Sequence, residues 1–193
     1  MSRLVARSAF AALCLATVAA ELRAIPQPAL EPVTRFTLSR DSVVDGVHCG
    51  PTRRASVELH ANGRLSECPL WRDTVIAGHA LPRETWPRFT ETGVLTGAWL
   101  PHDLTLQGLP CKGDGYKKWA VRFHASGHLA LCYLSTPTVI DGVPCHSAWF
   151  WRELRGTTQV QLHDDGRLKS CRLSRDVTLD GVAYRKGQRI ERS

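Results

Sequence analysis

The chain has 193 residues, of which 43% are hydrophobic and 22% charged, and its formal net charge at pH 7 is +7. The positive charges are scattered, and no basic stripe alternates with aromatic residues, so nucleic acid is not an expected partner. Beyond residues 1–20, no stretch is apolar enough to form a membrane-spanning helix, so no transmembrane segment is expected in the rest of the chain.

The N-terminal segment 1–20 has the pattern of a secretory signal peptide. Arg3 and Arg7 precede an apolar run that ends in small residues, and cleavage is expected after Ala20. Cys14 follows a leucine rather than a small residue, so no lipid anchor is predicted. Cleavage would leave 193 − 20 = 173 residues with a formal charge of 7 − 2 = +5. We therefore expect an exported protein, either periplasmic or extracellular.

Residues 21–33 carry three prolines and no periodic pattern, which is typical of an extended leader. An internal repeat then predicts one domain over residues 34–193. In each of four units, a turn glycine is followed 15 residues later by a closing glycine. The four pairs are Gly63 and Gly78, Gly93 and Gly108, Gly127 and Gly142, and Gly166 and Gly181.

Each unit has the pattern of short antiparallel strands. Apolar residues alternate before the turn glycine, and an Asn-Gly or Asp-Gly pair is the strongest short-range hairpin signal. A second strand follows the turn, and a third ends two residues before the closing glycine. With at most one helical turn near residues 148–155, the sequence predicts an all-β fold of antiparallel hairpin or meander repeats.

Partial units lie at both ends of the repeat. Residues 38–46 match the second half of a unit, and residues 188–192 match a first strand. Such fragments either cap an open array or pair with each other to close a ring, and the sequence leaves both topologies open.

Six cysteines remain after the signal peptide, an even number that suggests structural disulfides in an exported chain. They are Cys49, Cys68, Cys111, Cys132, Cys145 and Cys171. Three lie three residues after a closing glycine, and three lie five residues after a turn glycine. Pairing the first position of one unit with the second position of the next leaves no orphan thiol.

This scheme predicts the bridges Cys49–Cys68, Cys111–Cys132 and Cys145–Cys171. Leu81 and Ala98 occupy the two positions where cysteine is missing, and this scheme pairs them with each other. Pairing within units would instead form one bridge and leave four thiols unpaired. Each bridge closes a loop of roughly 20–26 residues, which stabilises the fold by about 3 kcal/mol in the chain-entropy model.

Two other polar positions recur. His60, His124 and His163 share one position, with Thr90 in the second unit; we interpret them as strand-end residues, since no carboxylate recurs beside them. Aspartates recur three residues after the leucine that ends the second strand of a unit, and we interpret them as caps of tight turns. They are Asp41, Asp73, Asp103 and Asp176, with Pro137 in the third unit.

No nucleophile elbow, phosphate loop, dinucleotide-binding pattern or zinc-protease motif is present, so the sequence suggests no catalytic residue, metal site or cofactor. The candidate binding residues lie in the longest connection between units, 145–158. Three adjacent aromatic residues followed by arginines are typical contact anchors, although they could also cover an end of the sheet. They are Trp149, Phe150, Trp151, Arg152 and Arg155.

The strand, Asn/Asp-Gly turn and following leucine in VELHANGRL (57–65) and VQLHDDGRL (160–168) resemble MORN repeats, and most of all their bacterial antitoxin-like variant. The resemblance covers most of residues 55–193. It implies antiparallel hairpins side by side and a role in protein or membrane contact.

Two functions follow from these observations. The first is an exported, disulfide-stabilised β-repeat protein that binds an unknown protein or envelope component without catalysis. The alternative is a secreted enzyme or enzyme inhibitor with its site in the connection 145–158.

Overall fold

The computed structural model describes residues 34–51, 56–115, 118–148 and 158–193. Within these ranges the chain forms twenty short β-strands and no helix. The strands are β1 Thr34–Phe36, β2 Ser42–Val44, β3 Val47–Cys49, β4 Val57–Leu59, β5 Leu65–Glu67, β6 Thr74–Ile76, β7 His79–Leu81, β8 Trp86–Phe89, β9 Leu95–Trp99, β10 Leu104–Leu106, β11 Leu109–Cys111, β12 Ala120–Phe123, β13 Leu129–Cys132, β14 Thr138–Ile140, β15 Val143–Cys145, β16 Val160–Leu162, β17 Leu168–Arg172, β18 Val177–Leu179, β19 Val182–Tyr184 and β20 Arg189–Glu191. The segments predicted as signal peptide (1–20) and leader (21–33) lie outside the described residues, as does nearly all of the predicted helical turn.

Ten strands form one antiparallel sheet, to which each unit contributes a hairpin. Its order is β1-β4-β5-β8-β9-β12-β13-β16-β17-β20. The predicted all-β fold of antiparallel hairpin repeats is therefore confirmed. The edge strands are β1, which precedes the N-terminal partial unit, and β20, which lies in the C-terminal one; among the described strands they pair only with β4 and β17 respectively. Of the two topologies left open by the sequence, the structure has the open array.

The turn glycine of each unit allows a bulged hairpin turn. Gly63 has a φ of +80°, whereas Asn62 before it is not in the left-handed region. His60 N–H donates to Arg64 O at 2.8 Å, and the register shifts between Glu58 and Leu59. This is a type I turn followed by a glycine bulge, which constrains the residue before glycine less than a type I′ turn does. Thr92-Gly93 therefore forms the same turn despite its weaker sequence match.

The closing glycines lie inside a second set of hairpins, which corrects the expectation that they end each unit. Asp45 and Gly46 have φ values of +48° and +79°, so both central residues of this turn are left-handed. That is the type I′ geometry favoured by Asp-Gly. A fourth strand, such as β3, follows each such turn and is too short to show a sequence period. These strands form five two-stranded hairpins: β2-β3, β6-β7, β10-β11, β14-β15 and β18-β19.

The core lies between one face of the large sheet and the inward face of the small hairpins. Leu65 and Leu129 from the sheet and Leu81 and Val143 from the hairpins are at most 2% exposed and belong to one apolar cluster. The small hairpins therefore bury one sheet face. The opposite face remains available for other roles.

Candidate functional site

Four junctions connect successive units, each defined by the two positions that the cysteine argument paired. They are the first junction (Cys49, Cys68), the second (Leu81, Ala98), the third (Cys111, Cys132) and the fourth (Cys145, Cys171). The first and fourth junctions are disulfide-bonded, as predicted, with sequence separations of 19 and 26. Each bond connects a small hairpin to the large sheet.

The third predicted bridge is not formed in the structure. Cys111 and Cys132 are free thiols, both buried. Their mutual hydrogen bond, together with burial, raises the pKa of the Cys111 thiol well above its ordinary value. Spacing specified the proximity of the two sulfur atoms. It could not specify whether they are oxidised, because that depends on an oxidant as well as on geometry.

The third junction shares its backbone frame with the disulfide-bonded ones. At the fourth junction His146 N–H donates to Arg172 O at 2.7 Å, and Ser174 N–H donates to Pro144 O at 2.8 Å. The equivalent bonds at the third junction run from Lys112 to Tyr133 at 2.6 Å and from Ser135 to Pro110 at 2.8 Å. The first junction has the same pair, from Gly50 to Pro69 and from Trp71 to His48.

The second junction lacks this frame as well as the cysteines. The two positions that donate elsewhere are occupied by Pro82 and Pro101, and proline has no backbone N–H. Leu81 and Ala98 are 1% and 2% exposed, so apolar packing takes the place of the disulfide. The strand pairing is also shortest here, since β5 and β8 share a single aligned pair, Glu67 and Arg88, whereas the other boundaries between units in the described residues have two or three.

The recurrent histidines connect neighbouring units, which is more than the exposed strand-end role expected of them. Nε2–H of His60 donates to Phe89 O at 3.0 Å, and that of His124 donates to Leu162 O at 3.1 Å. His163 makes the same bond to Arg192 O at 3.0 Å. Each acceptor belongs to the next unit, so the ladder holds hairpins side by side. Sequence reasoning missed this because the partners are 29 to 38 residues away.

The recurrent aspartates accept backbone hydrogen bonds, in a different place from the tight turn expected. Asp73 Oδ1 accepts from Arg83 N–H at 2.8 Å, and Asp103 Oδ1 accepts from Gly113 N–H at 2.9 Å. Asp176 does the same for Lys186, again ten residues later. These carboxylates close the base of the small hairpins rather than their own turns.

In the part of the chain that the structure describes, no group of three or more His, Cys, Asp and Glu side chains is arranged to hold a metal ion. No helix among those residues is long and apolar enough to cross a bilayer. The candidate binding residues predicted in the longest connection, from Trp149 to Arg155, lie outside the described residues.

A cleft lies on the outward face of the sheet, over strands β8, β9 and β12. Its volume is about 410 Å³. Arg88, Gly97 and Arg122 are aligned partners across the three strands. Arg88 and Arg122 are exposed, whereas the residues on either side of each are buried against the core. Gly97 therefore also faces outward, between two arginines.

Close backbone approach explains the glycine. A Cβ atom at Gly97 would lie 2.7 Å from the carbonyl oxygen of Val121, which is backbone and cannot move aside. The equivalent positions in the other units carry Glu67, Leu131 and Ser170. The cleft exists because only the second unit omits the side chain at this position.

Arg88 is held in place from two sides. Its Nε and Nη2 atoms each lie 3.3 Å from Oε2 of Glu67, a residue that is 1% exposed. Its guanidinium carbon lies 4.9 Å from the centre of the Trp99 ring, which is a cation–π contact. The side chain nevertheless remains 54% exposed, so it faces the cleft in a defined orientation.

Arg122 has a different environment. It is exposed, and among the described residues it has no hydrogen bond or ion pair. On the same row of aligned residues, Arg35 is paired with Glu58 at 2.5 Å and Arg88 with Glu67. Arg122 is thus the unneutralised cation of this row, next to the position that has no side chain.

Sequence reasoning missed Arg88, Gly97, Trp99 and Arg122. The available signal was the departure of the second unit from the repeat, at Gly97 as well as at the missing cysteines. The alignment of the two arginines on either side of Gly97 depends on pairing between strands, which residue spacing does not show.

A second polar group lies at the hairpin tips. Ser126 Oγ donates to Asp164 Oδ1, and Nδ1–H of His128 donates to the backbone oxygen of Asp164. The serine hydroxyl is directed to a carboxylate rather than to the imidazole, so this is not the order of a nucleophilic triad. The arrangement connects the third and fourth turns.

Comparison with protein-family models, with curated proteins and with solved structures finds no match to this chain. The function is therefore argued from the cleft and its chemistry.

Proposed function

We propose that the chain is an exported, disulfide-stabilised β-repeat protein that acts as a non-catalytic binding module of the cell envelope or extracellular space. Its binding site is the cleft between Arg88 and Arg122. The two disulfides support an oxidising compartment, since such bonds persist there and are rare in the cytosol. The apolar segment 1–20 supplies the export signal.

One observation carries the assignment of the site. Recurrent histidines and aspartates, the groups most suited to chemistry, donate to or accept from backbone atoms and serve the scaffold. Arg122 does not, although it borders a concave surface of a size that suits a small ligand. A cation that stabilises nothing within its row is available to a partner.

The resemblance to MORN repeats supports a role in contact with other molecules. Hairpins stand side by side here, as that resemblance implies, so one face of a long sheet is presented outward. We propose an unidentified protein or envelope component as the partner.

Export is tested by N-terminal sequencing of the protein recovered from a periplasmic or medium fraction. We expect the mature chain to begin at Glu21. Recovery of the full-length chain in the reduced cytoplasm only would contradict the export proposal.

Binding is tested by retention of the purified protein on immobilised envelope extract. We expect Arg122→Gln to reduce retention and Arg175→Gln, an exposed arginine with the same change of charge, to leave it unchanged. A double variant, Trp149→Ala/Trp151→Ala, tests the sequence-based site in parallel. Equal retention of wild type and Arg122→Gln would remove the cleft from the proposal.

A further inference from the structure

We infer that the ligand of the cleft is an acidic sugar, a pyranose ring that bears a carboxylate. This inference rests on the proposed binding function and names the ligand class of the same site. It follows from the small residues at the centre of the cleft, from the placement of the cations and from the position of the cleft in the sheet.

Small residues line the centre of the cleft. Gly97 has no side chain, and the neighbouring Ala120 and Ala130 have only a methyl group. Trp99 supplies an indole at the margin. A ring that exposes C–H groups on its face can lie on such a surface, because small residues permit close approach and apolar contact.

The cations are placed for one acidic group. Arg88 and Arg122 lie on the strands on either side of Gly97, so their Cα atoms are about 10 Å apart, two interstrand spacings. Arg88 is already engaged with Glu67, whereas Arg122 is available. A guanidinium binds a carboxylate through two parallel hydrogen bonds, so we place the carboxylate on Arg122. We place a sugar hydroxyl at Thr96. Its Oγ1 atom donates to Arg88 O at 3.2 Å and can still accept a hydrogen bond from that hydroxyl.

The position of the cleft disfavours an extended peptide. Peptides that bind sheets usually add a strand at an edge, where backbone donors and acceptors are unpaired. The strands β8, β9 and β12 lie in the middle of the ten-stranded order, and each is paired on both sides. Recognition here must come from side chains, which suits a compact ring with one charged group.

The carboxylated ring has two possible sources, a free monosaccharide or one unit of an acidic polysaccharide. Titration calorimetry of the full mature protein with glucuronate and with a hexamer of galacturonate distinguishes them. Glucose and a neutral hexamer serve as matched ligands without charge. We expect both acidic ligands to bind, the hexamer more tightly if the polymer is the source, and the neutral ligands not to bind measurably.

Variants connect this binding to the cleft. Arg122→Gln should weaken glucuronate binding about tenfold or more, the usual size of a lost charge-assisted pair. Arg175→Gln should leave affinity unchanged, and Trp99→Leu should weaken it by a smaller factor. Circular dichroism confirms that each variant is folded; the exposed position of Arg122 makes it the most tolerant of change.

Three results would overturn the inference. Equal binding of glucose would remove the role of the carboxylate, and equal binding of inorganic phosphate or benzoate would remove the sugar. Unchanged affinity of Arg122→Gln would place the ligand elsewhere. If envelope retention depends on Arg122 while no acidic sugar binds, the ligand class is wrong and the proposed function stands. If neither binding is observed, both are wrong.

Discussion

The second and fourth junctions perform the same task with different chemistry. The fourth has a disulfide, two frame hydrogen bonds and two aligned residue pairs between β13 and β16. The second has two prolines, two apolar side chains and a single aligned pair. The large sheet continues through both. Cross-links are therefore one local solution to holding a thin repeat together, and buried apolar contacts are another.

The difference also indicates where a repeat protein has room for function. Strand β9, which supplies Ala98 of the second junction, also carries Gly97 and Trp99, and the cleft opens beside it. Scaffold residues recur because every unit needs them. The second unit departs from the repeat at its junction and at the cleft, and the two departures are neighbours along β9.

The largest effect is expected at the fourth junction. Replacing both cysteines in Cys145→Ala/Cys171→Ala should lower the free energy of unfolding by about 3–4 kcal/mol, because the unfolded chain regains the freedom of a closed loop. Urea unfolding measures this change in the free energy of unfolding. Reductant should cause a larger loss in the wild type, because it also opens the Cys49–Cys68 bond at the first junction. An unchanged midpoint in the double variant would show that packing alone suffices at the fourth junction.

At the second junction the expected effect comes from packing. Leu81→Ala removes a side chain that is 1% exposed and should cost about 3 kcal/mol, through lost burial and the cavity that remains. The loss should be the same with and without reductant, which separates this junction from the first and fourth. A loss below about 1 kcal/mol would mean that the site collapses around the smaller residue.

The third junction can be converted to the type of the first and fourth. A disulfide donor such as oxidised glutathione should take up the two thiol hydrogens and two electrons of Cys111 and Cys132 and leave a bond between the sulfur atoms. Intact mass should fall by about 2 Da, and stability should rise by about 2–3 kcal/mol. Peptide mapping identifies the bond. Cys111→Ser is the control, and a mixed disulfide with glutathione in place of the Cys111–Cys132 peptide would contradict the expectation.

The histidine ladder should contribute less. His124→Ala removes the bond from Nε2–H to Leu162 O and should cost about 1 kcal/mol. Thr90→Ala, at the equivalent position of the second unit, loses a bond within its own turn and should cost less. Thermal unfolding compares the two. A larger loss for Thr90→Ala would show that the ladder does not connect units.

The smallest effect concerns Asp45. The backbone N–H of Leu65 and then the side chain of Arg64 lower the pKa of this carboxyl below its ordinary value of 3.8. Its stabilisation is therefore present above about pH 4 and is lost as the pH falls through the lowered pKa. Asp45→Asn should show a small loss at pH 7 that vanishes in acid. A difference that grows below pH 4 would contradict this sign.

Residues close in sequence supported the correct predictions. The Asn-Gly and Asp-Gly pairs specify turns because few residues other than glycine adopt a positive φ at low cost. The spacing of Cys49, Cys68, Cys145 and Cys171 from their glycines specified the two bonded pairs. The strands after the type I′ turns were missed because three residues are too few to show alternation.

The site was harder to predict. Gly97 can be read from the sequence, but its role depends on Val121 and Arg122, which lie beside it only because β9 pairs with β12. The histidines can be recognised from their shared position in the repeat, but their hydrogen-bond acceptors lie in the next unit. No pattern of residue types specifies such partners, because strand register depends on bulges and on the lengths of intervening loops.

The sequence by itself determined a repeat of hairpins and the neighbours that its cysteines would meet, since backbone geometry at glycine and the unit length are local properties. Only the tertiary structure decided that the array is open, that Arg88 and Arg122 flank a gap at Gly97, and that the histidines bind across units. These features arise where strands from distant parts of the chain come within hydrogen-bonding distance, and the folded sheet alone establishes which residues meet there.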